Sequence, residues 1–420
     1  MIPVYYNENT ETWKKADSTN KSNNWYDYCE KKWANSVTVS STNRSKYQSA
    51  SVGTEIPMDD ILTMQVWIPR YKYKVWNYNA DGTVSSNEQQ IEITFENGTN
   101  TTGEISCQDS ISGTDGDPSE TCKLKSINAT CTDSTCNNKT YTHPAFTFGD
   151  KETKGLWIGK FELTGTISNI TTKPDLQSLI DQKVSTFETN IMNMKNSGNS
   201  YGISITTDTH MIKNSEWGAV AYLSHSKYGT CTDGTCNEIG INNNSNYLTG
   251  CGAVAGSSKS STCNSYNTSS GMLASTTGNI YGVYDVSGGA YEYTMANIVS
   301  NDGTTMVSGS FPSENSGYTG IIFGKLYTGI DYPNNKYYDK YSFSNNYSSE
   351  IRSKLGDGIK EVYKGSEGWY SDTSFLAGYG TPWFVRGGNY EYSANAGVFN
   401  SNGENGGAHV DYSTRLIITP

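Results

Sequence analysis

Nine cysteines and four histidines are the side chains of this 420-residue chain best suited to ligate a metal or form a crosslink. Eight cysteines fall in near pairs, Cys107 with Cys122, Cys131 with Cys136, Cys231 with Cys236 and Cys251 with Cys263, and Cys29 stands alone. Two pairs share almost one cassette, CTDSTC and CTDGTC. A structural zinc site favours tight Cys-x2-Cys pairs joined by histidines. Here the spacings are looser and the histidines, at 143, 210, 225 and 409, are scattered. Disulfide-closed local loops, formed in an oxidising compartment, are the better reading. Cys29 is then a free thiol or an intermolecular crosslink. His143, His210 and His225 read as structural or turn residues, whereas His409 belongs to the C-terminal stretch considered below.

Asn77, Asn79, Asp81, Gly82 and Glu88 have the spacing of a calcium loop, with Asn at its first position. Strand patterns flank the loop where helices would be needed, and Asp-Gly is a common hairpin turn, so the hairpin is preferred and calcium is kept as the minor reading. The sequons at Asn128 and Asn138 carry little weight in a chain so rich in Asn, Ser and Thr. No Gly-rich phosphate loop precedes a helix and no GxSxG elbow occurs.

With 42 acidic against 31 basic residues the net charge is −11, and no Lys/Arg cluster offsets it, which argues against nucleic acid or an anionic membrane as partner. No run approaches the roughly 18 apolar residues that a membrane span needs. The opening MIPVYY lacks a basic and then apolar leader, so export would need a segment removed upstream, or release by lysis as for a virion part. Only 35% of residues are hydrophobic, there are 42 Gly, and Tyr (31) outnumbers Phe (11) and Trp (9). That composition suits a loop-rich surface protein whose aromatics keep one end wet.

Residues 1–55 read as a small β-hairpin segment carrying Trp13, Trp25 and Trp33 and ending in the strand VTVSS. Met64, Val66 and Ile68, then Tyr71, Tyr73 and Val75, alternate as strands on either side of Pro69, and Ile91, Ile93 and Phe95 close a hairpin. Residues 97–142 lack periodicity and read as an insertion; GLWIGKFELTG, residues 155–165, reads as a strand. Pro174 at a first helical position, followed by Leu176, Leu179, Ile180, Val184, Phe187 and Ile191, predicts a long amphipathic helix. A shorter helix is expected over 215–223, with Trp217, Val220 and Ala221 inward. The expected class is α+β, with two main helices among many short strands.

The most specific stretch is NIYGVYDVSGGAYEYTMAN, residues 279–297. It resembles the "N-x-YGLYDM-x-GNVWEW" signature of the formylglycine-generating-enzyme/sulfatase-modifying family, with Tyr281, Gly282, Tyr284, Asp285, Gly288, Tyr291, Glu292 and Tyr293 in matching places. NSEWGAVAYLSH resembles that family's "EAEWEYAA" helix, and Arg386-Gly387-Gly388 with Arg415 in TRLII resembles its closing "RGGSW…GFRL" pair. The resemblance spans roughly Gly155 to Ile418, without the first 150 residues, and implies a C-type-lectin-like fold; the domain is expected over 56–420, with insertions near 97–142 and 226–278. It does not carry the chemistry. The two family cysteines that bind copper fall on Tyr392 and Gly397. The histidine-rich iron site of the ergothioneine-type relatives has no counterpart here. What remains resembles the non-catalytic branch, the variable proteins of diversity-generating retroelements and related receptor-binding proteins.

That resemblance implies a ligand face between Arg386 and the final strand, over 386–415, where Asn codons diversify. Lys, Gln, Met and Trp, which those codons do not reach, are absent after Arg386, and Glu391 and Glu404 would be fixed. Composition supports the same use, since Tyr gives rigid contact area and Asn and Ser give adaptable hydrogen bonds. The expected contact residues are Asn389, Tyr390, Tyr392, Val398, Asn400, Ser401, Asn402, His409, Val410, Asp411 and Tyr412, with tyrosines as anchors. Leu416 to Ile418 is expected to pair into a sheet and close the frame. The reading is a non-enzymatic, extracellular, cell-surface or virion-surface adhesin or receptor-binding protein, cofactor-free, for a protein or glycan on another cell or particle. A calcium- or glycan-dependent lectin and a pilus or virion subunit are the rivals.

Overall fold

The computed structural model describes residues 1–19, 25–77, 86–99, 105–106, 123–124, 140–299, 315–322, 325–331, 333–342, 353–378 and 380–420. It is α+β and strand-rich, with three α-helices among the described residues. A seven-stranded sheet runs in the order Asp208–Met211, Leu416–Thr419, Gly155–Gly159, Ile61–Pro69, Asn35–Val39, Ile2–Asn7, Thr12–Lys15. Every neighbouring pair in it is antiparallel. Alternating Ile2, Val4 and Tyr6 face inward, as a half-buried strand requires, while Ile61–Pro69 is covered on both faces and buries even Thr63 and Gln65.

A five-stranded sheet holds Tyr291–Val299 between Asp339–Ser342 and Trp383–Gly387, followed by Gly397–Glu404. Tyr412–Thr414 pairs in parallel with Tyr291–Tyr293. The apolar residues of the two sheets, including Met211, Leu416 and Ile418 of the first and Tyr293, Met295, Trp383 and Val385 of the second, share one core with Phe187 and Ile191. Leu416–Thr419 is an interior strand, bonded to Gly155–Gly159 on one side and Asp208–Met211 on the other.

The helix Asn214–Ser224 forms where the sequence predicts it and is buried along its whole length. Its first turn lies against carboxylates: Ser215 N–H donates to Asp339 (2.7 Å), and Lys213 N–H to Glu216 (2.8 Å). A Cβ on Gly218 would come within 1.8 Å of the Gly356 carbonyl, so glycine in mid-helix is what lets the 356–358 turn lie against it.

The other expected helix is shorter than the pattern suggested. It spans Val184–Asn193, and residues 174–183 run as an irregular strap. Asp175 and Asp181 adopt φ of 58° and 61°, and the strap's amides bond outward: Asp175 N to Thr249 O (2.9 Å), Ser178 N to Tyr247 O (2.8 Å), Asp181 N to His409 O (2.8 Å). Donors committed to other segments cannot build an i→i−4 ladder, and Leu176 is left exposed. The helix Ser41–Ser49 was not foreseen, because STNRSKYQS buries only Tyr47 and has no apolar stripe.

The expected strand over 155–165 ends at Gly159. Beyond it Lys160 is fully buried, donating to Asn35 Oδ1 (2.9 Å) and to the carbonyls of Ile280 (2.6 Å) and Gly282 (2.8 Å). Burial holds its pKa well below the usual lysine range. Tyr71–Lys74 does pair with Ile93–Phe95, and also with Thr140–Thr142.

Candidate ligand-binding face

Residues 386–415 make one hairpin and two loops. The hairpin strands Trp383–Gly387 and Gly397–Glu404 are joined by the loop 388–396, and the loop 405–411 leads into Tyr412–Thr414. Arg386 fixes the base. Its buried guanidinium donates to the carbonyls of Asn400 (2.7 Å), Asp357 (2.8 Å) and Gly358 (3.2 Å) and lies over the Trp217 ring. Gly388, at φ 70°, makes the turn out of the sheet, and a Cβ there would meet Ala396 Cα at 2.8 Å. Trp217 Nε1 donates to Val398 O (2.6 Å), which ties the second strand to the buried helix.

At the far end Arg415 and Glu292, both without solvent exposure, form a two-point ion pair, and Arg415 Nη1 also donates to Gly159 O (3.0 Å). Burial alone would lower the Arg415 pKa, but the Glu292 carboxylate outweighs it and holds it raised. Asp285, at φ 62°, accepts from Asn242 Nδ2 and Gly250 N–H (both 2.8 Å). Burial pushes its pKa up to about 6 against the pull of Arg415. Tyr281 and Tyr284 donate to the carbonyls of Tyr6 (3.1 Å) and Tyr266 (2.9 Å). At Gly282 a Cβ would meet Ser275 Oγ at 2.3 Å, and at Gly288 the Asn242 carbonyl at 2.3 Å. The signature stretch is therefore internal framework that holds the 242–250 and 266–276 segments against the sheets.

Above this frame the loops are pinned backbone to backbone. Tyr390 N donates to Gly289 O (3.0 Å) and Tyr392 N to Asn389 O (3.0 Å). Val184 N donates to Gly406 O (3.1 Å), Asp181 N to His409 O (2.8 Å) and Tyr291 N to Asp411 O (2.9 Å). The irregular strap 174–183 thus clamps the second loop. On this support lie a pair of aromatic rings, Tyr390 against Tyr247 (4.9 Å), and a series, Tyr392 against Tyr291 (5.2 Å), Tyr291 against Tyr412 (5.3 Å) and Tyr412 against His409 (4.7 Å). Edge-to-face packing holds the tyrosine rings at fixed angles. Tyr412 donates to Glu404 (3.1 Å), and Lys259 pairs with Glu391 (2.7 Å).

No family model and no curated protein matches this chain. Among solved structures, Treponema denticola variable protein 1 is similar over 85% of this chain and 96% of its own, at 11% identity and a TM-score of 0.30.

The structure separates the eleven expected contact residues. Tyr390, Tyr392, Asn402, His409, Asp411 and Tyr412 are partly exposed, and Val410 is 67% exposed. Asn389, Val398, Asn400 and Ser401 are buried and belong to the frame. Asn400 Nδ2 donates to Asn395 O (2.7 Å), Ser401 Oγ to Phe375 O (3.0 Å), and Asn389 Oδ1 accepts from Glu391 N (3.0 Å). Gly397–Glu404 is buried at its start because its Val398 and Phe399 join the core cluster of Trp217 and Trp369 while 372–375 bonds along it, Phe399 N to Asp372 and Phe375 N to Ser401 O. Alternation along this strand therefore does not sort inward from outward residues. Tyr247, Lys259 and Tyr291 were not singled out for the face. Tyr247 lies in NNNSNYLTG, whose composition matches the C-terminal stretch and was the available signal.

Cys231–Cys236 and Cys251–Cys263 form disulfides, and Cys29 is free and exposed. Cys107, Cys122, Cys131 and Cys136 lie outside the described residues, as do Asn79 and Asp81 of the candidate calcium loop. Of the remainder of that loop, Asn77 is buried and Glu88 accepts from Lys364 Nζ (2.7 Å) and Tyr370 N–H (2.9 Å). His143 and His210 sit in the core, accepting from Ala145 N–H (3.2 Å) and meeting Glu216 (2.9 Å) respectively. No helix among the described residues is long and apolar enough to cross a membrane.

Proposed function

We propose that this chain is a non-enzymatic ligand-binding protein that presents Tyr390, Tyr392, Asn402, His409, Val410, Asp411 and Tyr412 on a rigid scaffold of the C-type-lectin-like kind. Tyr247 and Lys259 extend the same surface. The observation that carries the reading is the pinning of both loops through their own backbone, at Tyr390, Tyr392, Gly406, His409 and Asp411. A side chain at Tyr390, Tyr392, His409 or Asp411 can be exchanged without removing these backbone bonds, so contact chemistry can vary while the frame persists. Ringed tyrosines with low rotameric freedom beside adaptable Asn, Asp and His side chains suit protein or glycan recognition. Disulfides and the outward face fit display outside the cell or on a particle, as an adhesin or receptor-binding protein, and the sequence resemblance to retroelement-diversified proteins supplies a reason for such a design.

The test is a display library randomised at Tyr390, Asn402, His409 and Val410, sorted first for folding and then against glycan arrays and cell-surface proteins. Most variants are expected to fold as the parent does, and the binding profile should change from variant to variant. If these positions tolerate substitution no better than Asn400 and Ser401, the reading fails.

A further inference from the structure

His225 closes the helix Asn214–Ser224, and the helix ends against the CTDGTC hairpin. In that hairpin Cys231 faces Cys236 and Thr232 faces Thr235 across Asp233 and Gly234, whose φ values of 49° and 82° suit a two-residue turn with both central residues left-handed. One ring nitrogen of His225 and the two sulfurs lie within 4.8 Å of one another. Among the described residues this is the one group of three His, Cys, Asp or Glu side chains so placed, and Cys251–Cys263 belongs to no such group.

The ring is held from several sides. Its backbone is fixed on both sides, His225 N donating to Ala221 O (3.1 Å) and Ile91 N to His225 O (2.9 Å). Trp369 and Phe399 pack on the imidazole at 5.1 and 5.6 Å. The Tyr370 hydroxyl stands 3.3 Å from Nε2, the type of contact that orients a ligating imidazole. Tyr370 itself adopts φ 62° and is kept there by its N–H bond to Glu88, a left-handed backbone on a bulky residue of the sort that gathers at functional sites.

We propose that His225, Cys231 and Cys236 form a redox-gated site for a thiolate-seeking divalent cation such as Zn²⁺. In the oxidised protein the sulfurs are bonded to each other and cannot ligate. A dithiol reductant transfers two electrons, becoming a disulfide as Cys231 and Cys236 become thiols, and the cation then displaces two protons to give two metal–thiolate bonds. Zinc takes sulfur at about 2.3 Å and imidazole nitrogen at about 2.0 Å in a tetrahedron, which places ligand atoms somewhat under 4 Å apart. Opening the disulfide toward that spacing, and bringing the imidazole nitrogen in from 4.8 Å or less, requires about an ångström of side-chain movement. Three protein ligands leave the fourth position to water. The Cys-x4-Cys spacing that speaks against zinc in the sequence is tolerated because the tight turn sets the two cysteines opposite each other.

The full chain is reduced anaerobically with a phosphine, freed of reductant and titrated with Co²⁺ as a spectroscopic probe, then with Zn²⁺ in competition. Reduced wild type should gain tetrahedral cobalt bands with thiolate charge transfer that the oxidised protein lacks. Those bands should survive in Cys251→Ser/Cys263→Ser. His225→Ala should weaken binding at least tenfold, and Cys236→Ser, whose side chain is partly exposed on the hairpin, should do the same without touching the helix. Circular dichroism on each variant separates ligand loss from misfolding. Equal cobalt binding by oxidised and reduced protein, or wild-type affinity in Cys236→Ser or in folded His225→Ala, overturns the proposal.

Discussion

Arg386 and Tyr390 stand four residues apart and are held by opposite logics. The Arg386 side chain satisfies three buried carbonyls, so its removal strands polar groups that water cannot reach. Tyr390 is held to the frame through its backbone N–H, and its partly exposed ring leans on Tyr247. Where side chains do the hydrogen bonding the sequence is constrained, and where the backbone does it the sequence is free. The same contrast divides Asn400 from Asn402 within a single strand, the first buried and bonded to Asn395 O, the second partly exposed.

The sharpest way to break the contrast is at Arg415. Arg415→Met leaves the Glu292 carboxylate buried without its partner and should cost about 3–5 kcal/mol in urea unfolding. A loss under about 1 kcal/mol would show that the frame does not depend on its ion pair. Gly388→Ala forces a side chain into left-handed backbone against Ala396, and a loss of about 1–3 kcal/mol is expected by the same measurement.

A smaller effect should appear with pH. Burial raises the carboxyl of Glu361 to about 7, beneath the hydroxyls of Tyr73 and Tyr222. The folded protein thus binds this proton more tightly than the unfolded chain, whose carboxyl titrates at about 4. The stabilisation is complete below that value and is lost as pH rises through about 7. Between pH 6 and 8 the melting temperature of Glu361→Gln should therefore fall less steeply than that of wild type; parallel curves would contradict the shift. Asp208 and Glu216, whose pKa values are held low despite burial by Lys195 with Lys336 and by His210 with Lys213, act in the opposite sense at acid pH and are common to both proteins.

The smallest change belongs to the face. Val410→Ala should alter unfolding free energy by no more than about 0.5 kcal/mol, since the side chain is exposed, and Lys259→Ala, which removes a solvent-facing ion pair, should leave the urea midpoint unchanged. A loss above about 1.5 kcal/mol at Val410 would place it in the frame.

Much of the frame could be read from residue order. The 214–224 helix, the hairpin joining Tyr71–Lys74 to Ile93–Phe95, and the last strand all follow local rules of pattern and turn, and two disulfides pair near neighbours. The strap at 174–183 was hidden because Leu176, Leu179 and Ile180 have helical spacing, while what decides the conformation is the backbone acceptors at Thr249, Tyr247 and His409, far away in sequence. The sorting of Val398, Asn400 and Ser401 into the interior was hidden for a related reason. Polar residues look like surface residues until a distant segment, here 372–375 and 395, meets their hydrogen-bonding groups.

The interior place of Leu416–Thr419, second in the larger sheet, has a consequence for synthesis. Until the ribosome has made those four residues, Gly155–Gly159 and Asp208–Met211 lack the ribbon that joins them, and two strand edges stand unpaired. A premature stop or a frameshift anywhere in the tyrosine-rich coding stretch therefore removes the keystone along with the damaged loops. Faulty copies should be cleared as unfolded chains, so that molecules which survive should carry the whole of 386–415.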